Sequence, residues 1–329
     1  MEPLHVTQRP PVHSLQIDAV VIGRNEGARL RACLLSLQGQ VRRIVYVDSG
    51  SGDGSQVMAA AMGVQVVALD MAQPFTAARA RNAGLAALAA DAPDLVQMVD
   101  GDCEVVAGWV AAAAAFLASQ PGVAVVCGRR RERFPEASVY NRLCDREWDT
   151  PIGPARACGG DALMRYAAVM AVGGYSDSLI AGEEPELCLR LARAGGGVWR
   201  LDAEMTQHDA AITRFGQWWQ RTRRAGHAFA EGAALHGTEP ERHWVRETRR
   251  AVIWGAAVPL LAVLAALWHP AGLLVLLVWP VQVLRLAWRD GDGAGAFFNV
   301  LGKVPEAQGV LGYWLGRASG RRRGLIEYK

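Results

Sequence analysis

Asp100 and Asp102, in the run Val99-Asp100-Gly101-Asp102-Cys103, are the side chains best placed to do chemistry. They follow directly on Leu95–Val99, an apolar stretch that reads as a buried strand. Two carboxylates one residue apart at a strand's carboxyl end suit a hard divalent cation held beside a diphosphate. Mg²⁺ and Mn²⁺ take oxygen ligands and share them with substrate phosphates. The pattern points to an enzyme that handles an activated nucleotide.

Such a pair needs a rigid support, and the preceding sequence supplies one. Short apolar strands are expected at Ala19–Ile22, Ile44–Val47, Val64–Ala68, Leu95–Val99 and Val123–Val126. Between them, helical spacing appears at Leu30, Cys33, Leu34 and Leu37, then over 56–62, 76–90 and 107–118. This alternation builds an α/β fold, a Rossmann-like and mostly parallel sheet covered by helices. Ligands on such sheets bind beyond the carboxyl ends of the strands. The loops expected there are 23–27, 48–55 and 100–104, all rich in Gly, Asp, Asn or Ser.

At 329 residues the chain has room for one large or two small domains. A net charge of +3 is too small for wholesale nucleic-acid binding, so no nucleic-acid partner is expected. The positive charge is clustered, as in Arg129-Arg130-Arg131, Arg221 to Arg224, Arg249-Arg250 and Arg321-Arg322-Arg323. Each run is either a solvated face or, near apolar segments, a contact for anionic lipid. Six scattered cysteines without a Cys-x-x-Cys argue against a zinc site and fit reduced thiols in the cytosol. Residues 1–16 read as a loose leader with no signal-peptide pattern.

The last third changes character. Val252–Leu267 and Ala271–Leu284 are almost purely apolar and are separated by Trp268-His269-Pro270. Arg249-Arg250 precede the first run, and Arg285 and Arg289 close the second. A hairpin with both ends in the cytosol satisfies the positive-inside bias. A shallow hairpin in one leaflet, or a pair of buried core helices, is the alternative.

Five segments together resemble the family 2 glycosyltransferases, whose catalytic domain has the GT-A fold. They are Val20–Glu26, Val47–Ser55, Ala80-Arg81-Asn82-Ala83-Gly84, Val99–Asp102 and Gly182–Leu187, in the family's order over about residues 17–230. The resemblance implies a GT-A domain over 17–236, with a nucleotide-sugar half at 17–128 and an acceptor half at 129–236. A membrane-associated hairpin and basic tail would follow at 237–329.

The same resemblance assigns roles. Asn25, Glu26, Asp48, Arg81, Asp100 and Asp102 would bind the nucleotide-sugar, with Asp48 at the base and Arg81 near the diphosphate. Asp102 and the late His208 would hold Mg²⁺ or Mn²⁺. Glu184 would deprotonate the acceptor hydroxyl, since family members place an Asp where this chain has the second Glu of Glu183-Glu184. Glu183 and Glu186 remain alternatives for that base. Asp161, Trp218, Trp219 and Arg221 would face the acceptor. Gln217-Trp218-Trp219-Gln220-Arg221 is similar to the Gln-x-x-Arg-Trp element of processive synthases, in a different order, which favours single additions.

The expected function is inverting, metal-dependent transfer of a sugar, UDP-linked by preference, to a lipid-linked or cell-surface glycan hydroxyl. The expected place is the cytoplasmic face of the inner membrane. A catalytically silent nucleotide-sugar-binding or scaffold protein is the alternative, supported by the Glu-Glu pair. A nicotinamide enzyme is disfavoured, because no Gly-x-Gly-x-x-Gly follows the first strand.

Overall fold

A computed structural model describes residues 15–238 and 240–320. Most of the expected leader and the Arg321-Arg322-Arg323 run lie outside these residues.

The first half alternates as expected. The order is β1 (Ile17–Gly23), α1 (Ala28–Leu37), β2 (Arg43–Asp48), α2 (Ser55–Ala61), β3 (Gln65–Ala68), α3 (Ala77–Leu88) and β4 (Leu95–Asp100). β-Branched residues fill the strand centres, and Ala19–Val21, Val45–Val47 and Val96 are buried on both faces. Thr76 caps α3 by accepting a hydrogen bond from the Arg79 amide at 3.1 Å. Gly84 lets α3 press its backbone onto Val20 and Val47, where a Cβ would collide with both. Strand order β3-β2-β1-β4 is parallel throughout.

Beyond β4 the sheet becomes mixed, which modifies the mostly parallel expectation. β5 (Cys103–Val105), α4 (Trp109–Ser119) and β6 (Val123–Glu132) come next. α5 (Val139–Glu147), β7 (Gly153–Ala155), β8 (Ala162–Arg165) and α6 (Tyr166–Ala171) follow, then α7 (Glu183–Arg193) and β9 (Gly197–His208). β8 inserts antiparallel between β4 and β6, and β9 runs parallel to β6 while pairing antiparallel with β5 and β7. Trp109 fixes α4 by donating its indole N–H to the buried Gln97 at 2.9 Å.

The C-terminal part is more than a hairpin and tail. α8 (Phe215–His236) leads to α9 (Val245–Val252), which continues through a π-turn into α10 (Val258–Trp268). A 3₁₀ segment, Pro270–Leu277, opens α11 (Val278–Asp290). α12 (Gly293–Leu301) and α13 (Lys303–Ala318) then fold back onto the domain. Gly226 of α8 and Gly309 of α13 permit backbone contact between these helices, since a Cβ on either would strike the other helix. Segments 245–268 and 270–290 are long and apolar enough to cross a membrane. At 1.5 Å per residue the first is about 36 Å long. Trp268 is 94% exposed and Trp288 is 91% exposed, so the hairpin leaves its apolar surface open.

Candidate active site

Three loops at the carboxyl edge of the parallel strands assemble the site. Asn25, at φ 57°, clasps the first loop to the second. Its side-chain oxygen accepts from the Gly52 amide at 2.8 Å, and its own amide donates to Ser51 Oγ at 2.9 Å. Glu26 pairs with Arg29 at 2.7 Å. Asp48 is buried at the end of β2 and shapes the second loop. It accepts from Tyr46 Oη at 2.7 Å, the Gly50 and Ser51 amides at 3.0 and 2.9 Å, and Gln56 Nε2 at 2.7 Å. Burial pushes its carboxyl up, and these donors outweigh it and hold the group below its usual range. Asp48 thus organises the loop, and the base contact expected of it would be shared with these donors.

Arg81 is the hub. It projects from α3, is almost fully buried, and gives one guanidinium nitrogen to Asp100 Oδ1 at 2.8 Å. The other reaches Glu183 Oε1 and Glu184 Oε1, both at 2.8 Å. The Tyr175 ring lies under the guanidinium at 5.5 Å. Asn82 holds that ring's backbone by exchanging hydrogen bonds of 2.7 and 2.8 Å with Tyr175. Arg81 thus ties the end of β4 to the start of α7. The diphosphate contact expected of it would compete with the three carboxylates this guanidinium holds.

The acidic pair opens α7. Gly182 precedes it at φ 82°, a left-handed conformation that glycine adopts at no steric cost. Carboxylates in the first turn also meet the positive end of the helix dipole. The Glu184 side chain is 14% exposed against 5% for Glu183, so Glu184 is the one open to a second molecule. Burial and then the neighbouring Glu183 push the Glu184 carboxyl up to about 7, against the pull of Arg81. Glu186 is removed from the list of bases. It is held by Arg190 at 2.6 Å and His236 at 3.0 Å, on the other side of α7's first turn.

A second arginine completes the cluster. Arg130 enters from β6 and donates to Asp100 Oδ2 and Cys103 Sγ, each at 3.0 Å, with its Nε 3.2 Å from Asp161 Oδ2. The Trp148 ring covers it at 5.1 Å. Arg81 and Arg130 together outweigh the burial that would raise Asp100, and keep its carboxyl low. Asp161 is fully buried and also accepts from the Asp100 amide at 3.0 Å and Thr206 Oγ1 at 2.7 Å. It cannot face an acceptor, and that expectation is corrected. Gly160 leaves room for this cluster, since a Cβ there would meet the side-chain ends of Asp100 and Arg81.

Asp102 and His208 meet across the β5–β9 pairing, where Cys103 sits opposite His208. His208 Nε2 lies 3.3 Å from Asp102 Oδ2, and the Trp148 ring meets the imidazole edge-on at 4.8 Å. His208 Nδ1 is buried and has no hydrogen-bond partner among the described residues. A carboxylate oxygen and an imidazole nitrogen make a donor set that fits Mn²⁺ well and Mg²⁺ less well. The neighbouring Asp100, Cys103 and Asp161 also converge, but the Arg130 guanidinium stands among them. Burial holds the Cys103 thiol well above its usual range, so it stays protonated.

The tryptophan segment shares a packed cluster with Trp148, the ring that meets His208 and Arg130. Trp218 is buried among Tyr140, Phe215 and Phe298, and Trp219 donates its indole N–H to Gln308 of α13 at 3.0 Å. Arg221 grips Glu147 at 2.8 and 2.9 Å. These three residues dock α8 against α5 and the C-terminal helices, a packing role alongside the acceptor-side one expected of them. Arg130, in contrast, belongs to the site, although its arginine run reads locally as a solvated face or a lipid contact. The apolar stretch before it, continuing as one strand into the charges, was the available signal.

Residues 18–160 match the family model described as Glycosyl transferase family 2. The Pre-mycofactocin glycosyltransferase of Mycobacterium tuberculosis is 27% identical over 244 residues, covering 69% of this chain and 50% of that protein. The succinoglycan biosynthesis protein ExoA of Rhizobium meliloti is 27% identical over 193 residues, covering 54% and 58%. The chain thus spans about half the length of the curated relatives it matches. The solved mannosyltransferase PcManGT from Pyrobaculum calidifontis, in complex with GDP-Man and Mn²⁺, superposes with a TM-score of 0.60 at 19% identity. That match covers 90% of this chain and 88% of the other. Residues 18–160 thus resemble a family 2 glycosyltransferase domain, and the chain as a whole has a fold of the GT-A type.

Proposed function

We propose that the protein transfers a sugar from a nucleotide-sugar, UDP-linked by preference, to an acceptor hydroxyl with inversion at the anomeric carbon. The juxtaposition that carries this reading is Asp102 beside His208, next to an Arg81-braced carboxylate pair whose second member, Glu184, is open. Asp102 and His208 are the residues that would hold Mn²⁺ or Mg²⁺. Such a cation, when bound, neutralises charge on the departing nucleoside diphosphate.

Glu184 then acts on the other substrate. Its carboxylate takes the hydroxyl proton as the acceptor oxygen bonds to the anomeric carbon, and the bond from that carbon to the diphosphate oxygen breaks. A carboxyl raised to about 7 is a stronger base than an ordinary glutamate once ionised. Glutamate in place of aspartate adds one methylene, and Arg81 takes up that length by anchoring the group. Arg81, Arg130 and Asp161 touch neither substrate in this account and act as positioning residues.

The apolar hairpin supports a membrane location, with a lipid-linked or surface-glycan acceptor delivered at the cytoplasmic face. Basic flanks at Arg249, Arg250, Arg285 and Arg289 favour that orientation. Thermal-shift titration with UDP-, GDP- and dTDP-sugars, with and without Mn²⁺, tests the donor reading. The expected outcome is Mn²⁺-dependent stabilisation by one nucleotide class. A flat response across the panel contradicts it. The silent-relative reading requires that the stabilising donor is bound and never turned over.

A further inference from the structure

A cavity of about 1150 Å³ lies apart from Asp102 and His208, between α7, β7 and α9. Its walls are of two kinds. Leu189 of α7, Trp244 and Ile253 are apolar, whereas Arg156, Arg242 and Arg249 bring three cations. None of these three arginines has an ion-pair partner within 4 Å among the described residues. The acidic residues that also line the cavity are engaged, Glu241 by Arg193 at 2.7 Å and Glu247 by Arg246 at 3.2 Å.

The cavity is also continuous with the apolar hairpin. Ile253 begins the stretch that runs unbroken through α10, so the arginines stand at the root of the exposed apolar helices. With the hairpin in a bilayer, this is the depth of lipid headgroups. Guanidinium groups bind phosphate oxygens through paired N–H donors. Cations above an apolar wall, opening onto a hydrocarbon-compatible helix pair, match a phosphate head with an alkyl chain. Trp244 links the cavity to the carboxylates: a Cβ on Gly182 would lie 2.5 Å from its ring, and Glu183 is the next residue.

We propose that this cavity seats the phosphate head of the lipid that carries the acceptor, with its chain laid along α10. The proposal rests on the membrane-acceptor reading above. It is tested by equilibrium binding of a radiolabelled long-chain alkyl phosphate to the full chain in detergent micelles. Saturable binding is expected, with the matched long-chain alcohol and inorganic phosphate both failing to compete at about 100-fold excess. Arg156→Gln with Arg249→Gln should weaken binding by about tenfold or more, and the paired Lys variants should stay within about threefold. Undiminished binding by the Gln pair at an unchanged thermal midpoint overturns the proposal. Displacement by inorganic phosphate overturns it too, marking a free-anion site. Nucleoside diphosphate release by the wild-type chain is measured separately. Release without alkyl-phosphate binding defeats this inference alone, whereas absence of release defeats the functional reading.

Discussion

The carboxylate cluster and the apolar hairpin depart from ordinary burial in opposite directions. Around Arg81 and Arg130, charged groups have been withdrawn from water, and each is matched by an opposite charge within about 3 Å. Along α10 and α11, large apolar side chains stay in the open, with Leu267 at 80% and Leu284 at 69% exposure. Buried charge is costly unless paired, and exposed apolar area is costly in water. The first arrangement is sustained by geometry within the fold. The second asks for a partner outside it, and a membrane is the partner that two such helices suit.

The comparison breaks most sharply at Asp102. Asp102→Ala should lower nucleoside diphosphate release by about 10³-fold, because charge on the leaving group loses its stabilisation. The check is steady-state release across a Mn²⁺ titration. Glu184→Gln should cost about 10²- to 10⁴-fold in transfer. In the wild type, kcat/KM for transfer should climb as pH rises through about 7, since the base must lose its proton first. The Gln variant should lack that limb.

Removing the central brace should act on folding instead. Arg81→Ala leaves Asp100, Glu183 and Glu184 facing one another, and urea unfolding should show a loss of about 3–5 kcal/mol. On the other side of the comparison, Leu260→Lys with Leu264→Lys should move the chain from the membrane to the soluble fraction after cell lysis. Each lysine costs about 2.5–3.5 kcal/mol at a bilayer centre. Retention of the double variant in carbonate-washed membranes would show that the hairpin is not the anchor.

The smallest effect concerns stability and pH. Glu184 titrates near 7 in the folded chain against about 4.5 when unfolded. The folded state therefore binds the proton more tightly, and stability falls as pH rises between those values. Glu184→Gln should remove that decline. Its thermal midpoint should exceed the wild type at pH 8 and match it near pH 4.5.

Legibility in the sequence followed the range of the interactions. The β1-to-β4 half was readable because each strand and helix announces itself through local periodicity, down to Thr76 at the start of α3. Asp100, Asp102, Glu183 and Glu184 were readable because each sits in a short motif at an element's end. Arg130 was hidden, because nothing local distinguishes an arginine that turns inward from its two neighbours in the run. Only the β6–β9 and β6–β8 pairings place it over Asp100 and Asp161. For Asp48 and Arg81 the motif marks the position, whereas the four internal donors and three internal carboxylates that engage them become visible only in space. β8 was missed for a similar reason. Four residues, Ala162–Arg165, carry too little pattern to show that they split the sheet between β4 and β6. The docking of α13 is hidden in the sequence because its closest contact with α8 is glycine on glycine, Gly226 against Gly309.

In the proposed reaction Asp102 and His208 share one cation beside the nucleotide. Mn²⁺ binding followed by electron paramagnetic resonance, in the presence of the nucleoside diphosphate selected by thermal shift, measures this directly. The expected result is a single Mn²⁺ per chain that is lost in both Asp102→Ala and His208→Ala, with Glu186→Gln unaffected. Equal Mn²⁺ occupancy in the wild type and the two alanine variants would contradict it.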